Sequence, residues 1–411
     1  MSRRWRIFLI TSSLFFLSQF YRASNAVISP QLIRDLSLDT GGLGTLSAAF
    51  FYAFALTQVP LSIFLDRVGA RRIMTGLSLM GVLGAVIFAW ADNLAVGVAG
   101  RVLMGVGMSC NLMGTFKLLT VWFGPASFAT LSGIVFSIGT AGNMAATTPL
   151  VLLVENLGWR ITFCIIAGVN LVIALALYAI VSDHPEGGAG AGGGGSHGRT
   201  VQGLAALRVL FKTRDYWIIS VGTCVRYGIL AAFQVLWAGP YLMETMGLSP
   251  LAAGNMILLL NLGLITGGPL WGCISDRVLK TRKWIVILCL GLAALLTFVM
   301  GLLRQGAGVW TLGPLFLGFG LLGASGGLMY THIKELVPLE MAGTAMTGIN
   351  FFTMMGPAVF LQGWGYFMQA LHPEASRGIE AFQASLFACA AFLGGVSVLY
   401  LFTREREADI R

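Results

Sequence analysis

Charge is scarce in this sequence. Only 10% of the 411 residues are Asp, Glu, Lys or Arg, whereas 56% are hydrophobic and the mean hydropathy is +0.82. Because a soluble globular domain carries about 25% charged residues, a chain of this composition cannot cover itself with a surface suited to water. The composition excludes an ordinary soluble protein and predicts that most of the surface faces lipid.

Motifs for catalysis, metal binding and nucleotide binding are also missing. The six cysteines stand singly in apolar stretches, without the spacing of a metal site. No G-x-x-x-x-G-K-S/T motif is present, so ATP-driven pumping has no phosphate-binding loop. We therefore expect a protein that is not an enzyme and has no cofactor, no metal and no nucleic-acid partner.

Long uncharged runs fill the rest of the chain. A helix needs about 20 apolar residues to cross a hydrocarbon core of about 30 Å, and the alternating segments of an outer-membrane barrel are absent. The sequence predicts an all-α membrane protein. Its twelve transmembrane helices are expected at 5–30, 42–65, 72–92, 95–121, 127–155, 159–182, 215–242, 249–275, 284–304, 309–333, 342–369 and 380–403.

Lys and Arg residues are distributed unevenly between the predicted loops. They gather at both ends of the chain, at 66–72, at 276–283 and between residues 199 and 214, while the alternate loops hold few. Cytoplasmic loops carry such an excess of basic residues. We therefore expect a multi-pass protein of the inner (cytoplasmic) membrane, with both termini in the cytoplasm.

A glycine-rich stretch, HPEGGAGAGGGGSHGRT at 184–200, separates six predicted helices from six. This composition is typical of a flexible linker. Residues 36–46 resemble 246–256, and 65–72 resemble 275–283, so the two halves repeat. The sequence predicts an N-terminal six-helix bundle at 1–183, a cytoplasmic linker at 184–214 and a C-terminal six-helix bundle at 215–411.

Two loops carry the same acidic–basic motif at matched positions. The first reads LDRVGARR (65–72) and the second SDRVLKTRK (275–283). They resemble the motif that major facilitator proteins place after their second and eighth helices, and the resemblance covers the whole chain. It implies a secondary transporter that works by alternating access. The conformational latch that it implies comprises Asp66, Arg67, Arg71, Asp276 and Arg277, with Arg101 at the start of the fourth helix in a structural or gating role.

Three cations lie inside predicted helices, namely Arg22, Lys117 and Arg226, whereas no Asp or Glu lies in the middle of one. A charge at mid-bilayer costs at least about 2.5–3.5 kcal/mol and therefore suggests a function. A cavity lined by cations attracts anions, and guanidinium groups pair well with carboxylate or phosphate oxygens. The candidate substrate-binding residues are Tyr21, Arg22, Asn25, Lys117, Arg226, Tyr227, Gln234 and Asn350.

Structural roles remain open for the same cations. Each arginine could instead be a tether that donates hydrogen bonds to backbone carbonyls. Lys117 lies near the inner end of its helix, where its side chain could extend to the cytoplasmic face.

A narrower resemblance concerns the stretch CVRYGIL (224–230). It is similar to the R-Y-G-I-L run of the organophosphate:phosphate antiporters, in which one arginine on helix 1 and one on helix 7 bind phosphate. The resemblance implies that Arg22 and Arg226 form the anion-binding pair. Gln58 stands where that family has a lysine, and Gly139 lies near the place of its helix 5 histidine. Carboxylates, sugar acids and short peptides therefore stay open beside phosphate esters.

The function favoured by the sequence is secondary active transport of a small organic anion, an organophosphate or a carboxylate, coupled to a counter-anion or a proton. The alternatives are a multidrug or metabolite exporter of the same fold and a non-transporting membrane sensor. An exporter of cationic drugs would ordinarily carry an acidic residue in its cavity. We expect a monomer whose partners are the solute and the lipid bilayer.

Overall fold

The structure is a computed structural model that describes residues 2–123, 125–183 and 209–405. Within these ranges, the side chains of residues 59, 62–64, 66, 67, 125–130, 339, 340, 342–344 and 347 are not described. Most of the predicted linker, 184–208, thus lies outside the described residues. The described chain is helical with short connections and contains no strand.

Within the described ranges there are twelve helical rods, which confirms the predicted fold class, and their ends closely match the predicted ones. They are α1 (Arg3–Ala23 and Asn25–Asp35), α2 (Thr40–Val68), α3 (Ala70–Ala89), α4 (Leu94–Phe123), α5 (Pro125–Ala145, continued over 148–157), α6 (159–180), α7 (Arg214–Thr245), α8 (Pro250–Val278), α9 (Lys283–Leu302), α10 (Val309–Leu336), α11 (Leu339–Leu371) and α12 (Ile379–Tyr400). Among the described residues, nine continuous helices are long and apolar enough to cross a membrane.

Helix packing repeats between the two halves. In the first half α1 packs against α5, α2 against α4 and α3 against α6. In the second half α7 packs against α11, α8 against α10 and α9 against α12. The halves meet where α2 lies against α11 and α5 against α8. The internal repeat seen in the sequence is therefore a repeat of packing.

The outer surface suits a lipid environment. Five tryptophans are exposed close to helix ends: Trp5, Trp217 and Trp284 on the face that carries the start of α1 and the end of α12, and Trp90 and Trp310 on the other face. Tryptophan is enriched at both interfaces between membrane and water. We call the first of these faces the terminal face and the second the opposite face.

Among the described residues, four of the rods are interrupted. α1 breaks at Ser24, α4 at Ser109–Cys110, α5 at Ala146–Thr147 and α10 at Ala324–Ser325. A break frees backbone carbonyls, which must find donors because lipid supplies none. Two of these breaks are approached by buried arginines, which sets the geometry of the site.

Candidate functional site

Polar contacts join α2 to α11 in the half of the interface nearer the opposite face. The side-chain amide of Gln369 donates to Asp39 Oδ2 at 2.8 Å, and the hydroxyl of Tyr52 donates to Gln362 Oε1 at 3.0 Å. Thr45 Oγ1 also accepts from Gln362, at 3.3 Å. These bonds close the two bundles against each other on the opposite face.

The backbone of α7 touches α1 in the same half of the interface. A Cβ atom on Gly239 would lie 1.7 Å from the carbonyl oxygen of Ala26. Two heavy atoms cannot approach that closely, so only glycine allows this contact between the bundles. Gly239 follows a π-helical turn, Phe233–Trp237, which widens α7 just before the contact.

Arg22 lies at the centre of the interface, in the last turn of α1 before its break. Its Nη1 donates to the hydroxyl of Tyr227 on α7 at 3.2 Å, and its guanidinium lies 4.8 Å from the centre of the Phe54 ring. The residue is only 6% exposed, and its Nε has no hydrogen-bond partner. An aromatic face stabilises a cation in part. Arg22 is thus a buried guanidinium at the junction of the bundles, and it donates a hydrogen bond to a neutral hydroxyl.

Arg226 points away from that junction, into the C-terminal bundle. Its Nη1 donates to the carbonyl of Gly323 at the break in α10, and its guanidinium lies 5.8 Å from the centre of the Tyr227 ring. The Nε of Arg226 has no hydrogen-bond partner. The two arginines therefore bond different groups, Tyr227 for Arg22 and Gly323 for Arg226, and do not meet at one common position in this conformation.

The predicted residue Asn350 is also at the interface between bundles. Its amide donates to Gln58 Oε1 on α2 at 3.0 Å, and its Oδ1 accepts from the hydroxyl of Tyr330 at 2.9 Å. Tyr330 on α10 also bonds Thr353 at 3.0 Å. This network extends the α2–α11 contact towards the terminal face. From the sequence, Gln58 stands out only as the residue in place of the lysine of the organophosphate:phosphate antiporters.

Each of three other predicted residues lies within its own bundle and not between the two bundles. Asn25 donates to Ser47 Oγ at 2.8 Å, which joins α1 to α2. Gln234 donates to Asn261 Oδ1 at 2.8 Å, which joins α7 to α8. The ring of Tyr21 is fully buried in the N-terminal bundle. The structure does not bring these side chains to Arg22.

Lys117 lies nearer the terminal face. Its Nζ donates to the carbonyl of Leu65 at 2.6 Å, close to the end of α2. This contact places the ammonium group in the layer of the α2–α3 loop and away from Arg22.

The α2–α3 loop is anchored to the end of α6. The backbone N–H of Arg71 donates to Asp183 Oδ1 at 2.9 Å, and its Nε donates to the carbonyl of Tyr178 at 2.9 Å. Gly69 has φ +94°, and a Cβ there would lie 2.5 Å from Asp183 Oδ2. The side chains of Asp66 and Arg67 lie outside the described residues. Sequence reasoning missed Asp183, which lies 112 residues from Arg71.

In the α8–α9 loop, the predicted latch residue Asp276 forms an ion pair within its own loop. Asp276 pairs with Arg282, whereas Arg277 is exposed. Arg282 also contacts Glu335 on α10 at 3.3 Å. Burial alone lowers the pKa of Arg282, but the bonds to these two carboxylates outweigh burial and raise that pKa.

Arg101 is fully buried and donates a hydrogen bond to the backbone near the break in α1. Its Nη1 donates to the carbonyl of Tyr21 at 2.9 Å, and its guanidinium lies 5.0 Å from the centre of the Phe50 ring. Arg101 and Arg226 thus have the same arrangement. In each case, an arginine on one helix donates a hydrogen bond to a carbonyl at the break in another helix.

The whole chain matches one known family. Residues 10–361 and 240–409 match the profile of the Major Facilitator Superfamily. The chain belongs to the Major Facilitator Superfamily, and it is a multi-pass membrane transporter.

Several named transporters are similar to it along most of their length. The probable sulfoacetate transporter SauU of Cupriavidus necator is 26% identical over 367 residues, which cover 84% of each chain. The hexuronate transporter of Bacillus subtilis is 24% identical, covering 82% of each chain. The probable galactarate/D-glucarate transporter GarP of Escherichia coli is 23% identical, covering 98% of this chain and 95% of the relative.

Solved structures agree on the fold. The nucleoside transporter NupG superposes with a TM-score of 0.79 at 13% identity, covering 96% of this chain and 99% of NupG. A bacterial homologue of the lysosomal transporter Spinster, in an inward-facing conformation, superposes with a TM-score of 0.77 at 17% identity, covering 97% and 96%. At these identities the likeness concerns the fold alone.

Proposed function

We propose that this transporter carries a small organic anion by alternating access, and that Arg22 binds an oxygen of that anion. The observation that supports the proposal is the position of the Arg22 guanidinium. It is buried where the two bundles meet, and its bond to Tyr227 at 3.2 Å is a bond to a neutral group. A carboxylate oxygen in place of this hydroxyl makes a stronger, charge-assisted bond.

The relatives narrow the chemistry of the proposed solute. Sulfoacetate, hexuronate, galactarate, D-glucarate and tartrate are named for the similar transporters. Each of these compounds carries at least one carboxylate. We therefore propose a short carboxylate with a second polar or anionic group. A phosphate ester, which the similarity at CVRYGIL suggested, is the second candidate.

The proposed roles of the neighbouring side chains follow from their contacts. Tyr227 holds Arg22 while the site is empty, and the solute oxygen replaces its hydroxyl. Arg226 donates to the carbonyl of Gly323 in this conformation and makes no direct bond to the solute. Asn350 and Gln58 lie further along the interface towards the terminal face, where a polar end of the solute would meet them.

Orientation and coupling complete the proposal. We place both termini and the 184–214 segment in the cytoplasm, since the basic loops lie on the terminal face. Exchange for another anion, or protonation of the solute, drives transport, because no Asp or Glu lies in the middle of a helix. The closed opposite face then makes the present conformation one that is shut towards the outside.

A binding screen on purified protein tests the proposal. Tartrate, galactarate and sulfoacetate should raise the melting temperature, whereas tetraethylammonium should not. The Arg22→Ala variant should lose this response, and Arg34→Ala, an exposed arginine on the same helix, should keep it. Stabilisation by glycerol 3-phosphate alone would favour the phosphate ester, and stabilisation only by the cation would contradict an anion carrier.

A further inference from the structure

A small cavity lies inside the C-terminal bundle, apart from the interface between bundles. It has room for about one water molecule or one monatomic ion. It lies between α7, α9, α10 and α12, at the break in α10. Its polar lining is Arg226, Ser325 and Cys289, and its apolar walls include Leu230, Phe319 and Leu393.

Two polar groups of this cavity are buried without a strongly polar partner. Arg226 is 7% exposed, and its Nε has no hydrogen-bond partner. Ser325 is fully buried, and its Oγ lacks a partner apart from the weakly polar thiol of Cys289. A buried donor without a hydrogen-bond partner is unfavourable, and more so when the group is charged. Both side chains line the same cavity, so one bound acceptor could receive hydrogen bonds from both.

The charge of Arg226 also lacks an opposite charge. Among the described residues it forms no ion pair with a carboxylate, and its titratable neighbours are Tyr330, Tyr227 and Cys289. Its other contacts are a neutral carbonyl at Gly323 and a tyrosine ring 5.8 Å away. Arg22 and Arg101 differ, because each lies within 5.0 Å of the centre of a phenylalanine ring. A buried charge without a partner is strongly unfavourable.

We propose that this cavity binds a single inorganic anion of halide size, which is chloride in ordinary salt. The Nε–H of Arg226 and the Oγ–H of Ser325 donate to it, and the apolar walls exclude larger anions. Water could fill the space, but it would leave the charge of Arg226 uncompensated. The site is distinct from the proposed solute site, because Arg226 lines it whereas Arg22 and Tyr227 do not.

Binding at this position would stabilise the junction between α7 and α10. The anion would neutralise Arg226 while its Nη1 stays on the carbonyl of Gly323. Chloride should therefore stabilise the folded protein with a saturable concentration dependence, since a ligand that binds only the native state raises its stability.

Thermal unfolding in chloride and in methanesulfonate at equal ionic strength tests this inference. The Arg22→Ala background removes anion binding at the solute site, and Ser325→Ala is compared with Ser385→Ala in that background. Ser385 is a buried serine on α12 that already bonds the carbonyl of Ala381. Chloride should raise the melting temperature of the Ser385→Ala protein, and Ser325→Ala should weaken the apparent chloride affinity about tenfold.

Bromide gives a second and direct reading. Crystals grown in bromide should show an anomalous peak beside Arg226 Nε and Ser325 Oγ. Equal melting temperatures in the two salts, together with a water and no bromide in the cavity, would overturn the inference. Solute binding by the unmodified protein is measured separately, so its failure would count against the proposed function and leave the halide site standing.

Discussion

Replacing Arg22 by alanine removes two interactions and one positive charge. The interactions are the hydrogen bond to Tyr227 at 3.2 Å and the contact with the Phe54 ring at 4.8 Å. If a solute carboxylate binds this guanidinium, its bound form also loses a charge-assisted hydrogen bond, worth roughly 1.5–3 kcal/mol. Because about 1.4 kcal/mol corresponds to a factor of ten, the affinity should fall about ten- to a hundredfold.

Substitution by lysine separates charge from geometry. Arg22→Lys keeps a cation but loses the planar fork that pairs with two oxygens, so it should restore the affinity only in part. Arg226→Ala should reduce the affinity less than Arg22→Ala and should lower the melting temperature, because Arg226 holds the carbonyl of Gly323.

Calorimetric titration of galactarate, tartrate and sulfoacetate into monodisperse variants measures these effects. Arg34→Ala serves as a matched control, since that side chain is 76% exposed on the same helix. A structural tether at Arg22 would give a different pattern, with a lower folded yield and an unchanged affinity in the surviving protein. An unchanged affinity in Arg22→Ala would refute the proposed site.

Three further outcomes concern Tyr227, Gly239 and the membrane topology. Tyr227→Phe frees Arg22 from a competing hydroxyl, so it should raise the affinity for the solute severalfold in the same titration; a loss of affinity would mean that Tyr227 binds the solute directly. Gly239→Leu cannot fit against Ala26 and should keep the opposite face open, measured as faster labelling of a cysteine at Thr45, whereas Gly363→Leu, with open space around it, should not. A cysteine at Ser196 should resist an impermeant reagent added to intact cells, and strong labelling there would reverse the proposed topology.

The helices were predictable because each is a long uncharged run between charged or turn-forming residues. The lower accuracy at the end of α1, which continues to Asp35 beyond the predicted residue 30, has a local cause. Pro30 and the polar residues around it suggested an end, yet the helix tolerates proline there because neighbouring helices enclose that turn. Segment lengths thus follow from composition, while exact ends depend on packing.

The direction of side chains was less predictable. The sequence placed both Arg22 and Arg226 inside helices and gave both the same role. In the structure, a break in α10 offers Arg226 a free carbonyl, and this turns its side chain into the C-terminal bundle. The break involves Ala324 and Ser325, and nothing in the spacing of Arg226 relates it to residues almost a hundred positions away.

The loop charges show the same limit. The motif at 275–283 indicated Asp276 and Arg277 as latch residues without identifying the partner of either, and in the structure Asp276 bonds Arg282 after the loop has turned back. Likewise Asp183, at the end of α6, anchors Arg71 across a large separation in sequence. Motif spacing identifies which loops carry charge, whereas the fold decides which charges meet.

Transport by purified protein in liposomes tests the central claim most directly. Liposomes preloaded with unlabelled tartrate, galactarate or sulfoacetate should take up the same labelled anion by exchange without a proton gradient, and Arg22→Ala should abolish this uptake while Arg34→Ala leaves it intact. Equal uptake by the Arg22→Ala protein, or uptake of tetraethylammonium in place of the anions, would contradict an anion carrier built around Arg22.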